Sequence, residues 1–243
     1  KFIKKTSLGA AALPLIGSFP LSEATLFPQN NTTLRVAIMG LGSYANRVAK
    51  AMESCTRAKV VGVVSGTPSK IKDWQSRYGI PDKNCYNYEN YTDMRNNPDI
   101  DAVYIITPNA LHCEQTIGVA GAGKHVLCEK PLATSHVEAK QMADAAAAND
   151  KLLVEAIWTR WHPRFERVVE LVRNGDIGQL QNIDSAFTFT TTFTENYRLV
   201  PEMGGGSLLD VGPYQAHVWA ALASKDAELK IDSASANIGP TGI

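Results

Sequence analysis

The chain has 243 residues, with 24 Lys plus Arg against 24 Asp plus Glu, so its formal net charge is zero. That balance removes the electrostatic case for non-specific nucleic-acid binding, and 44% apolar with 20% charged residues excludes a disordered chain. No apolar run reaches the roughly 18 residues of a membrane-spanning helix, and the length suffices for one large domain or two small ones.

The chain opens without Met, as Lys1-Phe2-Ile3-Lys4-Lys5, and continues into a small apolar stretch, Leu8 to Phe19. Basic residues followed by an apolar run have the layout of an export signal. The Phe-Ile-Lys-Lys opening resembles the stretch after the paired arginines of a twin-arginine signal, with the arginines expected just upstream. Residues 1–33 are therefore expected to be an export signal and linker, and the protein to be exported or periplasmic. The competing reading is an amphipathic N-terminal helix in a cytoplasmic protein. The four cysteines, Cys55, Cys85, Cys113 and Cys128, have neither C-x-x-C nor zinc-finger spacing and read as buried or incidental thiols; no metal site is expected.

From residue 34 the pattern alternates. Leu34–Met39 is a buried strand ending at glycine, and Ser43–Cys55 a helix. Lys59–Val64 is a strand, Pro68–Tyr78 a helix with Pro near its first turn, and Ala102–Ile106 a third strand. Ala110–Ala122 is a helix closed by Gly123, and His125–Cys128 a short strand. Ser135–Asn149 is a helix with a capping box of Ser135 and Glu138, and Leu152–Ala156 another strand. Repeated β-α-β units with apolar strands imply a parallel sheet covered on both faces. After about residue 157 the pattern changes. Pro163–Asn174 and Gly206–Leu222 read as helices, and Asn182–Phe193 as a long strand of an antiparallel sheet. The expected organisation is a parallel α/β domain over 34–156 and a second, α+β domain over 157–243.

Gly40-Leu41-Gly42-Ser43-Tyr44-Ala45 is G-x-G-x-x-A directly between a strand and a helix. Gly40 permits the tight turn, Gly42 lets a pyrophosphate approach the backbone, and Ala45 keeps the helix close to the strand. The helix N-terminus adds N–H groups and partial positive charge for the phosphates. The second strand runs out through Ser65, Gly66, Thr67 and Lys70 with no acid. A carboxylate there would repel a 2′-phosphate, whereas Ser65, Thr67 and Lys70 can donate to one, so NADP is expected, with NAD possible. Glu129-Lys130-Pro131 then falls at a strand's C-terminal end, where ligands of open α/β sheets bind, and a lysine there can neutralise or protonate a substrate oxygen.

Together, Gly40–Ala45, Thr107-Pro108-Asn109-Ala110-Leu111-His112, Gly123–Pro131 and Gly204-Gly205-Gly206-Ser207-Leu208-Leu209-Asp210 resemble the glucose–fructose oxidoreductase/inositol dehydrogenase (Gfo/Idh/MocA) family over about residues 34 to 224. The resemblance implies α/β architecture: a Rossmann domain, then an α+β domain with an open antiparallel sheet, truncated here because the chain stops at Ile243. An exposed sheet edge is expected to follow. It also implies Lys130 near the hydride-transfer site, Thr107, Pro108, Asn109 and His112 on the nicotinamide side with Glu129 beside them, Tyr197-Arg198 as a cofactor-contacting pair, and a homo-oligomer.

Asp210, Tyr214 and His217 recur at i, i+4 and i+7 and so share a helix face. Many family members have His four residues after the Asp; Tyr214 stands there instead. This is similar to the sugar-oxidoreductase and dihydrodiol/xylose-dehydrogenase branches, and Glu155-Ala156-Ile157-Trp158-Thr159-Arg160-Trp161-His162-Pro163 also resembles the second of these. Tyr214 is the expected acid/base, its pKa lowered by Lys130; Asp210 orients the substrate or Lys130. Trp158, Arg160 and His217 are candidate substrate contacts. The implied activity is hydride transfer between nicotinamide and a hydroxyl or carbonyl of a sugar, polyol or cyclic diol. The competing readings are a nicotinamide-dependent glycoside hydrolase of the same fold, and a non-catalytic sensor.

Overall fold

The computed structural model describes residues 33–189, 196–223 and 230–239. The expected export signal and nearly all of its linker, and the last residues of the strand expected to reach Phe193, lie outside the described residues.

Six strands form one parallel sheet: β1 (Leu34–Met39), β2 (Ala58–Val64), β3 (Cys85–Tyr86), β4 (Ala102–Ile105), β5 (His125–Glu129) and β6 (Leu153–Ala156). They lie in the order β3-β2-β1-β4-β5-β6. Helices α1 (Ser43–Met52), α2 (Pro68–Tyr78), α3 (His112–Gly121) and α4 (His136–Ala148) connect them. The side-chain period of two sorts β1 between two cores. Ile38 packs with Ala45, Ala49, Val63 and Trp74 on one face, while Ala37 and Met39 pack with Val103, Ile105, Val119 and Met142 on the other. Both faces being covered explains why β1 and β4 read as continuous apolar runs.

Up to β6 the expected elements form close to their expected bounds, with three differences. The two-residue β3 is too short to leave a pattern. Asn109–Leu111 winds as a 3-10 turn ahead of α3. The capping box is half made: Ser135 Oγ accepts from Glu138 N, but the Glu138 carboxylate accepts from Thr134 N at 2.9 Å rather than from the cap residue.

After β6, a 3-10 turn (Trp158–Trp161) leads into α5 (Pro163–Arg173), and α6 spans Ser207–Leu222. His162 Nδ1 caps α5 by accepting from Arg164 N. The expected antiparallel strand does not form over its described part, 182–189. Its alternation of Phe and polar residues suits a half-buried strand, but a ladder needs a hydrogen-bonded neighbour, and among the described residues none lies alongside. All four cysteines are free thiols, and no described helix is long and apolar enough to cross a membrane.

Candidate functional site

The direction of the crossovers reverses between β1 and β4, and ligands of open parallel sheets bind at such a point. Gly40 N donates to Val64 O at 3.0 Å and Ile106 N to Met39 O at 2.8 Å, which fixes the turns leaving both strands. Gly40 has φ +94°, and a Cβ there would lie 2.6 Å from Ile106 O, so only glycine fits. A Cβ on Gly42 would meet nothing within 4 Å. The backbone there faces open space, directly before the first N–H groups of α1, a cradle that suits a pyrophosphate.

One cleft of about 960 Å³ is lined by Gly40, Leu41, Gly42, Ser43 and Tyr44, by Ser65, Gly66, Thr67 and Lys70, and by Thr107, Pro108 and Asn109. Glu129, Lys130, Trp158, Tyr197, Arg198, Asp210 and Tyr214 line the same cleft. Six lining residues were not foreseen: Arg47, Tyr88, Ile106, Phe187, Phe189 and Val211. Arg47 lies on the exposed face of α1, where an arginine looks like a solvated charge. Tyr88 and Phe187 come from segments without a motif. A cation five residues after Gly42 was the one available signal.

The glycine run brings the second half of this cleft to the first. Asn109 Nδ2 donates to Gly204 O at 2.7 Å. Gly204 has φ +72°, and a Cβ there would lie 2.8 Å from Asn109 Cβ and from Thr134 Cγ2. Gly206 N donates to Arg198 O at 2.9 Å, so the run also grips the Tyr197–Leu199 turn. The result sets Asp210, in the first turn of α6, between two cations. Lys130 Nζ is 2.9 Å from Asp210 Oδ1, and Arg198 Nε is 3.1 Å from Oδ2. Lys130 Nζ also donates to the Asp210 backbone oxygen. Burial opposes ionisation of Asp210, but the Lys130 hydrogen bond and the charges of Lys130 and Arg198 outweigh it and hold the carboxyl below its usual range.

Glu129 shows the opposite balance. Burial raises its pKa despite a 2.5 Å hydrogen bond from Tyr104 and one from Lys130 N. Glu155, raised mainly by burial, accepts from Leu132 N at 2.8 Å and so fastens the segment after Lys130, whose peptide bond to Pro131 is cis.

Four expectations need correction. The pKa of Tyr214 is raised, chiefly by burial, not lowered by Lys130. The Lys130 ammonium sits 5.1 Å from the ring centroid, over the face and not at the hydroxyl, and its charge is matched by Asp210. His112 does not line the cleft. It is fully buried, with Nδ1 2.8 Å from Pro131 O and Nε2 3.0 Å from Thr107 O, and braces two cleft loops from behind. Arg160 does not line it either. In a turn with about three residues per revolution it points away from Trp158, and its guanidinium lies 5.7 Å over Trp161. His217 shares the face of Asp210 and Tyr214 but lies about 10 Å further along the helix axis than Asp210. There it packs against Phe165 at 5.1 Å between centroids, and its Nε2 is buried without a partner among the described residues.

A parallel sheet whose switch point carries a glycine cradle, opening into a cleft with a Lys–Asp pair and a half-buried phenol, is the architecture of a dinucleotide-binding protein. Residues 34–157 match the family described as "Oxidoreductase family, NAD-binding Rossmann fold", and residues 165–239 match the "GFO/IDH/MocA C-terminal domain". The chain belongs to the Gfo/Idh/MocA family. It is 30% identical over 204 residues to the D-xylose 1-dehydrogenase (NADP(+)) of Hypocrea jecorina, covering 76% of this chain and 52% of that protein. It is similar to the solved aldose-aldose oxidoreductase from Caulobacter crescentus, complexed with glycerol, with TM-score 0.76 and 36% identity over 78% of this chain and 57% of that one. A 3-ketoreductase from Actinomadura kijaniata, solved with NADP and TDP-benzene, matches with TM-score 0.69 and 29% identity over 79% of this chain and 57% of that one. The chain spans about half the length of the curated relatives it matches.

Proposed function

We propose that this chain carries the cofactor and reaction site of an NADP-dependent oxidoreductase acting on a hydroxyl or carbonyl of a sugar, polyol or cyclic diol. The observation that carries this reading is the single cleft shared by the glycine cradle and the Lys130–Asp210–Tyr214 group. Ser65, Gly66, Thr67 and Lys70 line it where β2 ends, with Arg47 beside them and no carboxylate among them, which favours a 2′-phosphate. The named substrates of the xylose and aldose enzymes support a carbohydrate-like substrate.

Bound in this cleft, a nicotinamide dinucleotide supplies or takes up the hydride. The chain's own residues handle the proton. Lys130 has three N–H donors and gives two to Asp210, leaving one for a substrate oxygen. Asp210 keeps the ammonium in place. Tyr214, whose phenol is ordinarily protonated at neutral pH and is pushed further from ionisation by burial, gives its proton to the carbonyl oxygen during reduction and recovers it during oxidation.

The test is titration of the protein with NADPH and NADH by intrinsic fluorescence, with Ser65→Asp alongside. Ser65 Oγ accepts from Thr67 N at 3.2 Å, a contact an aspartate can keep, and retained NADH binding checks that the buried turn survives the added charge. We expect tighter binding of NADPH than NADH, and a loss of at least about tenfold for NADPH alone in the variant, one charge-assisted contact's worth. Preference for NADH refutes the 2′-phosphate assignment, and binding of neither cofactor refutes the oxidoreductase reading.

A further inference from the structure

Tyr214 is held by two aromatic neighbours that do different things. Phe187 stacks on its ring, with centroids 4.8 Å apart and planes 29° from parallel. Trp158 meets it edge-on, centroids 5.9 Å apart, with Nε1 3.1 Å from the phenol oxygen. An indole nitrogen only donates, whereas a phenol has one O–H to donate and lone pairs that accept. The direction of this hydrogen bond is therefore fixed. Trp158 N–H points at the oxygen, and the phenol's own proton cannot go to Trp158.

We propose that Trp158 is a positioning residue for Tyr214: its indole N–H holds the phenol oxygen, leaves the phenol proton as the group offered to the substrate, and stays on that oxygen as negative charge develops there. The inference rests on the proton-donor reading of Tyr214 and deepens it. It gives Trp158 a task other than forming the wall of a substrate pocket. Other groups bear on the same oxygen. Glu129 from β5 and Asp210 from the preceding turn of α6 oppose loss of the proton, Arg198 favours it, and burial opposes it most. Lys130 lies over the ring with two donors on Asp210, and the Tyr44 hydroxyl of α1 feels the charge of Tyr214. Among the influences that favour the phenolate, the Trp158 hydrogen bond is the largest. A donor bound to an oxygen strengthens as that oxygen becomes anionic, so the contact assists proton transfer rather than ground-state binding.

Trp158→Phe removes the N–H and keeps an aromatic ring. Trp158 is 49% exposed, so the smaller ring leaves no buried void, and circular dichroism together with NADPH binding checks that the variant folds. The protein is produced with tyrosine labelled with carbon-13 at the ring carbon bearing oxygen. Of its eight tyrosines, Tyr214 is identified as the signal lost in Tyr214→Phe. In Trp158→Phe the Tyr214 signal is expected to move at neutral pH, and its titration midpoint to rise by roughly half to one pH unit. With a ketone of a sugar or cyclic diol as substrate, kcat is expected to fall about 3- to 10-fold with KM unchanged. A Tyr214 signal that stays where it was overturns the proposal. So does a raised KM with unchanged kcat, which makes Trp158 a pocket wall. If no such substrate is turned over, the proposed reaction fails, while the carbon signal still decides the Trp158 contact.

Discussion

Asp210→Asn probes the pair that joins the two halves of the cleft. Asp210 sits between Lys130 at 2.9 Å and Arg198 at 3.1 Å, and the Lys130 and Asp210 side chains are only 13% and 14% exposed. Removing one partner of a fully buried pair costs about 3–5 kcal/mol, because the other charge is left uncompensated. Here the cost is smaller. An asparagine oxygen still accepts from Lys130, the Asp210 backbone oxygen keeps its hydrogen bond, and some solvent reaches the site. We expect a loss of about 2 kcal/mol at pH 7, read from urea unfolding midpoints at constant slope. The sign of the pH dependence follows from the depressed carboxyl pKa. A group whose folded pKa lies below its unfolded value, about 3.9 for Asp, contributes its full stabilisation above that value and loses it as pH falls through the folded one. The gap between native and variant should therefore be constant from about pH 5 to 8 and narrow below about pH 4. A gap under about 0.5 kcal/mol at pH 7, or one that does not narrow in acid, refutes the reasoning.

Two further substitutions separate binding from chemistry. Gly40→Ala forces a Cβ to within 2.6 Å of Ile106 O at φ +94°. It should cost at least about 2 kcal/mol of stability by chemical denaturation and abolish dinucleotide binding by fluorescence titration. Tyr214→Phe should leave the NADPH affinity within about twofold of native and lower kcat by about 10²–10⁴, measured from NADPH absorbance with a reducible substrate.

The parallel sheet was legible because its strands are buried on both faces and leave unbroken apolar runs, as in Leu34–Met39. The glycine turn was legible because steric exclusion at Gly40 leaves one residue type. Helix bounds followed from local punctuation such as Pro68, Ser135 and Pro163. The segment 182–189 shows the limit of such reading: its alternation states what a strand prefers, but strand pairing is not a local property. Three site residues were misassigned. Helix periodicity gives the angular position of His217 but not what packs over it, and a family resemblance carries the positions of His112 and Arg160 but not which way each side chain faces.

What the sequence determined by itself was therefore whatever depends on neighbours along the chain: the β-α-β order, the cradle, and the absence of an acid after β2. What only the tertiary structure decided was electrostatic and long-range. Asp210 lies 80 positions after Lys130 and reaches it because Gly204 admits Asn109 and Thr134 at van der Waals distance. The pKa of the Tyr214 hydroxyl is raised rather than lowered because burial outweighs the Trp158 hydrogen bond and the Arg198 charge, and Trp158 lies 56 positions away. A pKa depends on everything within a few ångströms in space, and no spacing rule along the chain records that.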